Sequence, residues 1–310
     1  MKARIWTALM AVYICWGTTY LAIRFAVETM PPFLMAGTRF LVAGAILFAW
    51  RRLAGDGRPT RVEWRSAAIV GAFLLLLSNG TVSWAEQHVP SGITALLVST
   101  APLWMVLIDA IRPGGQRPGW RTTAGVLVGF SGIVLLVGPL QLAGTSQSIN
   151  PLGLVALLIA PIFWSIGSLY NRGAKLPASP LLGTGMEMLA GGVGLLLLGT
   201  LTGEWGQFHL TAITARSWWS LAYLVVFGAL VGYAAYTWLL RVAPTPLVST
   251  YAYVNPLIAV FLGSLLAQEP LNARVLLSAV VIIGAVALIN TSRMTAPQAA
   301  EALPSSTGDD

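Results

Sequence analysis

Apolar stretches of about twenty residues, each closed by turn-forming residues, recur ten times along the chain. A helix crosses the hydrocarbon core of a bilayer in about 20 residues. The pattern therefore predicts spans at 5–27, 33–50, 66–85, 91–111, 121–139, 151–170, 181–201, 217–240, 246–267 and 273–290. The breaks carry turn chemistry: Pro31-Pro32, Gly55-Asp56-Gly57, Pro90-Ser91-Gly92, Pro113-Gly114-Gly115 and Pro244-Thr245-Pro246. The polar end of the chain, 293–310, reads as a disordered cytoplasmic tail.

Composition sharpens this picture. The chain is 56% hydrophobic and only 9% charged, whereas soluble domains carry about 25% charged residues. Too little polar surface remains to cover a soluble protein, so the fold class is all-α integral membrane. Lys2 and Arg4 before an apolar run imitate a signal peptide. The run from Ile5 to Ile23 is too long for that, and no small-residue cleavage site follows it.

Charge then orients the spans. With connections assigned alternately to two sides, fourteen Lys and Arg fall on the side of the N-terminus and three (Arg24, Arg216 and Arg274) on the other. The positive-inside rule predicts a plasma (inner) membrane protein with both termini cytoplasmic. The net charge of +7 is scattered over short connections. Nucleic-acid binding needs a clustered basic face, so that class is set aside. The single cysteine, Cys15, excludes an intrachain disulfide and a multi-cysteine metal site. His88 and His209 are isolated in or near outer loops, and neither a metal nor a cofactor is expected.

The chain also repeats itself. Residues 15–26, CWGTTYLAIRFA, align with 163–174, FWSIGSLYNRGA: Trp16 meets Trp164, Leu21 meets Leu169, Arg24 meets Arg172 and Ala26 meets Ala174. At the same offset Pro32 meets Pro180, Gly37 meets Gly185, Leu41 meets Leu189 and Gly44 meets Gly192. Small indels then shift the offset, and Trp84 meets Trp238, Pro90 meets Pro244, Pro102 meets Pro256 and Gly132 meets Gly284. Residues 1–140 and 150–292 thus read as two copies of one five-span unit. An odd number of spans forces the second copy into the membrane upside down. Inverted repeats of this kind are a recurrent transporter architecture, with the substrate near the midplane between the halves.

The stretches WGTTYLAIRFA, PPFLMAGTRFLVAG and SGITALLVSTAPLW, and the second-half run from PLVSTYAYVNPLIAV to IGAVALIN, together resemble the EamA-type branch of the drug/metabolite transporter superfamily. The likeness covers roughly 5–290. It implies ten helices, both termini inside, and a central cavity formed by helices 1–4 and 6–9, with helices 5 and 10 at the periphery. Members of the family move amino acids, other metabolites and toxic organic compounds, mostly outward.

Several residues stand out within the spans. Arg39 lies about six residues into span 2, where a charge usually faces a cavity or a partner. Its repeat mate is Glu187, the acid deepest in a span and the first candidate for proton coupling. Structural ion pairing is the competing reading for both. Asn79, Ser83 and Glu86 fall on one helical face of span 3, as cavity wall or as interhelical bonding. Glu86 is an expected partner of Arg39. Glu269 is a second candidate partner, more simply read as an exposed charge in the first turn of span 10. Asp109 and Arg112 read as a local ion pair.

Tyr13, Trp16 and Tyr20 share a face of span 1, Trp164 and Ser168 the equivalent face of span 6, and Tyr251, Tyr253 and Asn255 cluster in span 9. Aromatic rings with polar tips suit a cavity for amphiphilic solutes, and ordinary helix packing is the alternative. Pro102 and Pro256 each remove an intrahelical bond and are hinge candidates or static kinks. Trp120, Trp218 and Trp219 sit at span ends as interfacial residues. Gly125, Gly129 and Gly132 permit close helix contact.

Two functions compete. One is a secondary transporter, with a small molecule as substrate, the lipid bilayer as surroundings and protons as a candidate coupling ion. The other is an integral-membrane enzyme acting on lipid or peptide. An enzyme needs a positioned acid, base, nucleophile or metal, and no such set is spaced along the chain. No Walker motif is present to hydrolyse ATP. The expectation is an exporter, not an enzyme.

Overall fold

The computed structural model describes residues 2–113, 117–137, 150–243, 245–248 and 250–301. Among these residues there is no strand. Nine of their helices are long and apolar enough to cross a membrane: α1 (Ala3–Ala26), α2 (Pro32–Leu53), α3 (Arg61–Ala85), α4 (Ser91–Ile111), α5 (Trp120–Val137), α6 (Pro151–Asn171), α7 (Pro180–Leu201), α8 (Ala215–Leu239) and α10 (Ala273–Thr291). The remaining one, α9 (Tyr251–Ala267), is apolar but shorter. Among the described residues, a helix occupies each of the ten predicted spans, and positions 138, 139 and 249 lie outside the described residues.

The helix ends follow from local chemistry. α3 begins five residues before its apolar run because Thr60 and Glu63 form a capping box, with Thr60 N donating to Glu63 Oε2 at 2.6 Å and Glu63 N to Thr60 Oγ1 at 3.3 Å. α1 is interrupted at Thr18. There Thr18 and Thr19 donate their hydroxyls to Ile14 O at 2.6 Å and Cys15 O at 2.7 Å, a local competition that bends helices. α9 is shorter than the apolar run because Thr250 breaks away from a preceding turn, Thr245–Val248. The helix of α10 continues to Glu301, so part of the stretch expected as tail is helical, and 302–310 lie outside the described residues.

Similar features recur before and after the middle of the chain. A π-helical stretch interrupts α3 at Ala72–Asn79, and another interrupts α8 at Leu224–Val231, at the same place in each copy. Contacts follow the same rule. α1 packs on α8 and α9, and α6 packs on α3 and α4, which is the same pair of contacts with the halves exchanged. α2 pairs with α7, α4 with α9, and α5 with α10.

Glycine sets the closeness of these seams. A Cβ built on Gly44 would lie 2.9 Å from Gly185 O, and one on Gly192 would lie 2.9 Å from Leu41 N. No side chain fits there, so α2 and α7 pack backbone to backbone. In α5, Gly125 and Gly132 face Ile289 and Ile282 of α10, while Gly129 faces Leu103 of α4. These glycines are packing residues. The main apolar core gathers Ile23, Leu96, Leu97, Leu136, Leu157, Leu224 and Ile282 from six helices. Trp120 and Trp219 are exposed at span ends, as interfacial residues are.

Candidate functional site

The bend of α1 at Thr18 and the π-stretch of α8 face one another, and Trp16 lies between them. Its indole N–H donates to Gly228 O in that π-stretch at 3.2 Å. π-bulges displace a carbonyl from the regular ladder and occur often at functional sites. Three tyrosines surround the indole: Tyr233 at 5.2 Å between ring centroids, Tyr236 at 5.1 Å and Tyr251 at 5.2 Å. Tyr236 and Tyr251 also meet edge to face at 5.6 Å. Tyr233 and Tyr251 meet the indole edge to face and Tyr236 meets it tilted, the geometries that aromatic pairs prefer. Gly232 makes room for it, because a Cβ there would fall within 3.0 Å of Trp16 Nε1.

A buried polar chain runs outward from this cage. Arg39 is 3% exposed, and its Nε has no hydrogen-bond partner. It interacts electrostatically with Tyr233 and Glu86, and its guanidinium also lies 4.7 Å from the Phe40 ring. Glu86 is completely buried, and neither carboxylate oxygen has a hydrogen-bond partner. Arg24 donates to the backbone carbonyl of Glu86. Tyr20 interacts with both Glu86 and Tyr233. On the other side, Glu187 interacts electrostatically with Tyr233. Arg39 and Glu86 thus interact electrostatically, but among the described residues the expected ion pair between them is not formed.

The remaining predicted residues divide. Tyr13 and Thr250 share a hydroxyl–hydroxyl hydrogen bond that ties α1 to the break before α9. Asn255 is buried with its Oδ1 unpartnered. Asn79 is only partly available, because its amide donates to Leu74 O at 2.9 Å inside the π-stretch. Ser83 is buried beside it on α3, and Ser168 is partly buried on α6. Trp164 packs on the apolar cluster of Phe40, Val70, Leu74 and Met188, as does Tyr233. Tyr253 packs on the cluster of Leu103, Val106, Val126 and Val286, toward α4, α5 and α10.

Both prolines lie near helix breaks. Pro102 stands just past an interruption of α4 at Ser99–Thr100. Pro256 lies within α9, which itself begins at a break. Asp109 and Arg112 form the expected ion pair, at 2.6 Å.

Glu269 differs from expectation. It is not a free charge on the first turn of α10: its carboxylate accepts Ser91 N at 2.7 Å and Gly92 N at 3.0 Å, at the start of α4. Geometry rather than composition decides this, because Gln268 turns left-handed (φ 53) and throws the following carboxylate back.

Other functional positions escaped the sequence reading. Tyr233 and Tyr236, three apart on α8, carry a visible helical spacing and were open to detection by it. Ser165 was not. Its hydroxyl donates to Ala101 O at 2.9 Å and binds α6 to the break in α4. Glu204, in the connection after α7, is buried and accepts Phe33 N at 3.2 Å and Leu34 N at 2.9 Å. Burial pushes its carboxyl above the usual carboxylate range, and the two N–H groups draw it back.

Comparison with known proteins adds independent information. The model of the EamA-like transporter family matches the chain twice, at 4–138 and at 151–291. The uncharacterized inner membrane transporter YedA of Escherichia coli strain K12 is 39% identical over 292 residues, covering 94% of this chain and 92% of its own. A WAT1-related chloroplastic protein of Arabidopsis thaliana, At3g02690, is 25% identical, covering 92% of this chain and 69% of its own. Protein PecM of Dickeya dadantii is 28% identical and covers 88% of each chain. A solved crystal structure with 20% identity superimposes with a TM-score of 0.63, covering 93% of this chain and 98% of that one, and shares the fold.

Proposed function

Because the chain belongs to the EamA-like transporter family and is a multi-pass inner-membrane transporter, we propose that it exports a small organic metabolite or drug-like compound by alternating access. The substrate occupies the space between the two halves. One observation carries this reading: Trp16 of the first half sits among Tyr233, Tyr236 and Tyr251 of the second. A solute held there touches both halves at once, so their relative tilt decides which face it sees.

The groups around the cage have distinct uses. The aromatic faces stack on the apolar part of a solute, or on a cation. Arg39 and Glu86 carry unpartnered polar atoms at full burial. Leaving such groups unpaired is expensive, and a polar solute or a gate rearrangement relieves the cost. Glu187, which interacts electrostatically with Tyr233, is the group through which proton movement couples to substrate. Asn79, Ser83, Trp164, Ser168, Tyr253 and Asn255 form the outlying wall. Pro102 and Pro256 allow the outer and inner parts of α4 and α9 to move separately.

The test begins with the purified protein and a thermal-shift screen against amino acids, sugars, nucleosides and organic cations. Compounds that raise the midpoint are then carried into proteoliposomes as labelled solutes. Flux of unchanged solute supports the proposal. Chemical conversion without flux overturns it.

A further inference from the structure

Glu204 and Glu269 share one construction. Glu204 follows Gly203, at φ 76, and Glu269 follows Gln268, at φ 53. Each left-handed residue reverses the chain just past the end of its helix, α7 or α9. The carboxylate then folds back over a glycine of that same helix. A Cβ on Gly199 would lie 3.1 Å from Glu204 Oε2, and one on Gly263 would fall within 3.0 Å of Glu269 Oε2.

Each carboxylate then crosses to the other half. Glu204 accepts the N–H groups of Phe33 and Leu34, in the first turn of α2 after Pro31 and Pro32. Glu269 accepts those of Ser91 and Gly92, in the first turn of α4 after Pro90. First-turn N–H groups have no partner within their own helix, and negative charge there is favoured by the helix dipole. Both contacts therefore join second half to first. Both lie on the face poor in Lys and Arg, the outer face by the positive-inside reading.

The two contacts hold different joints. α2 and α7 are sealed along their length by Gly37, Gly44, Gly185 and Gly192, each of which lies against the opposite helix. That seam has no slack. α4 meets α9 chiefly through its outer segment, Ser91–Val98, which also packs on α1 and α6, while its inner segment, Ala101–Ile111, packs mainly on α5, α6 and α10 and shares an apolar cluster with Tyr253 of α9. The segments part at Ser99–Thr100, whose hydroxyls turn back onto Leu96 O at 2.7 Å and Leu97 O at 2.5 Å.

We propose that Glu269 is the releasable clasp of the outer gate and Glu204 a permanent anchor. When the Glu269 carboxylate leaves Ser91 and Gly92, the outer segment of α4 swings about Ser99–Thr100 and parts from α9. When it returns, the outer face closes over the aromatic cage. Glu86, fully buried next to this joint, interacts electrostatically with Glu269.

The inference rests on the two-sided access of the proposed function, but its test needs no substrate, so the two stand or fall separately. Thr94 is wholly buried one turn below the clasp. In a Cys15→Ala background, Thr94→Cys is exposed to a membrane-impermeant maleimide in right-side-out vesicles. Adding Glu269→Gln raises its labelling about tenfold, the scale expected for losing charge-assisted hydrogen bonds. Gly263→Ala, which displaces the carboxylate without removing its charge, raises it likewise. Glu204→Gln lowers thermal stability and leaves the labelling unchanged. The proposal is overturned if neither Glu269→Gln nor Gly263→Ala raises labelling, if Glu204→Gln raises it equally, or if the increase occurs only in inverted vesicles.

Discussion

Trp16 of α1 donates its indole N–H to Gly228 O of α8 at 3.2 Å, across the boundary between the two halves. The acceptor lies in the π-stretch of α8, and the donor lies just before the break of α1. Two irregular backbones therefore meet at the cage. Regular helices offer no free carbonyl at that point, and the irregularity supplies it.

Gly232 makes this contact testable without touching the aromatic rings. A Cβ at 232 falls within 3.0 Å of Trp16 Nε1, so Gly232→Ala pushes the indole out of the cage. The expected outcome is a loss of ligand-induced thermal shift comparable to that of Trp16→Ala. The ligand-free midpoint should fall by less than it does for a core substitution. Titration of the unfolding midpoint against ligand for both variants checks it.

Arg39→Ala and Asn255→Ala should weaken transport more than they lower the amount of protein in the membrane. Both side chains are buried with an unpartnered polar atom. Removing such an atom relieves an unmet desolvation cost of about 1–3 kcal/mol, which offsets part of the packing lost on truncation, so recognition suffers more than stability. Flux per molecule, with protein quantified on blots, separates the two effects. Normal flux in both variants removes these residues from the site.

Much of this fold was legible in the residues, and the reason is physical. A bilayer demands about 20 apolar residues per crossing, so the ten helices are written in plain hydropathy. The reading of a repeat rests on pairs such as Trp16 and Trp164, Pro102 and Pro256. The site was legible only in part. Trp16, Tyr251, Arg39 and Glu86 drew attention as large or charged groups in apolar runs. Which tyrosines faced Trp16 depended on the π-stretch of α8, which rotates the register of everything after it and leaves no mark in hydropathy. Glu269 was misread for a similar reason, since one left-handed residue decides where its carboxylate points. Ser165 and Glu204 act through backbone groups, whose positions exist only once the helices are packed.

The seam between α3 and α7 should tolerate no added volume at Gly71. A Cβ there would lie within 3.0 Å of Glu187 O, a backbone atom that cannot rotate away. Gly71→Ala is expected to destabilise by about 1–3 kcal/mol, the usual cost of overpacking. A lowered thermal midpoint in detergent checks it, and Gly57→Ala, where nothing lies within 4 Å of the added atom, serves as the silent control.

The proposed alternating access requires two five-helix halves that run antiparallel across the membrane. Single-cysteine tags at 55 and 145, in the connections after α2 and after α5, should therefore label from opposite faces. Position 55 reacts in inverted vesicles and position 145 in right-side-out ones. Labelling of both from one face is incompatible with an inverted pair.

The most direct measurement is flux. Proteoliposomes holding the wild-type chain are loaded with a labelled solute chosen by thermal shift, and its appearance outside is followed beside Trp16→Ala. The expected result is saturable release of chemically unchanged solute that falls to the protein-free rate in the variant. Release that is equal in both, or solute that is altered but never crosses, contradicts transport through the Trp16–Tyr251 cage.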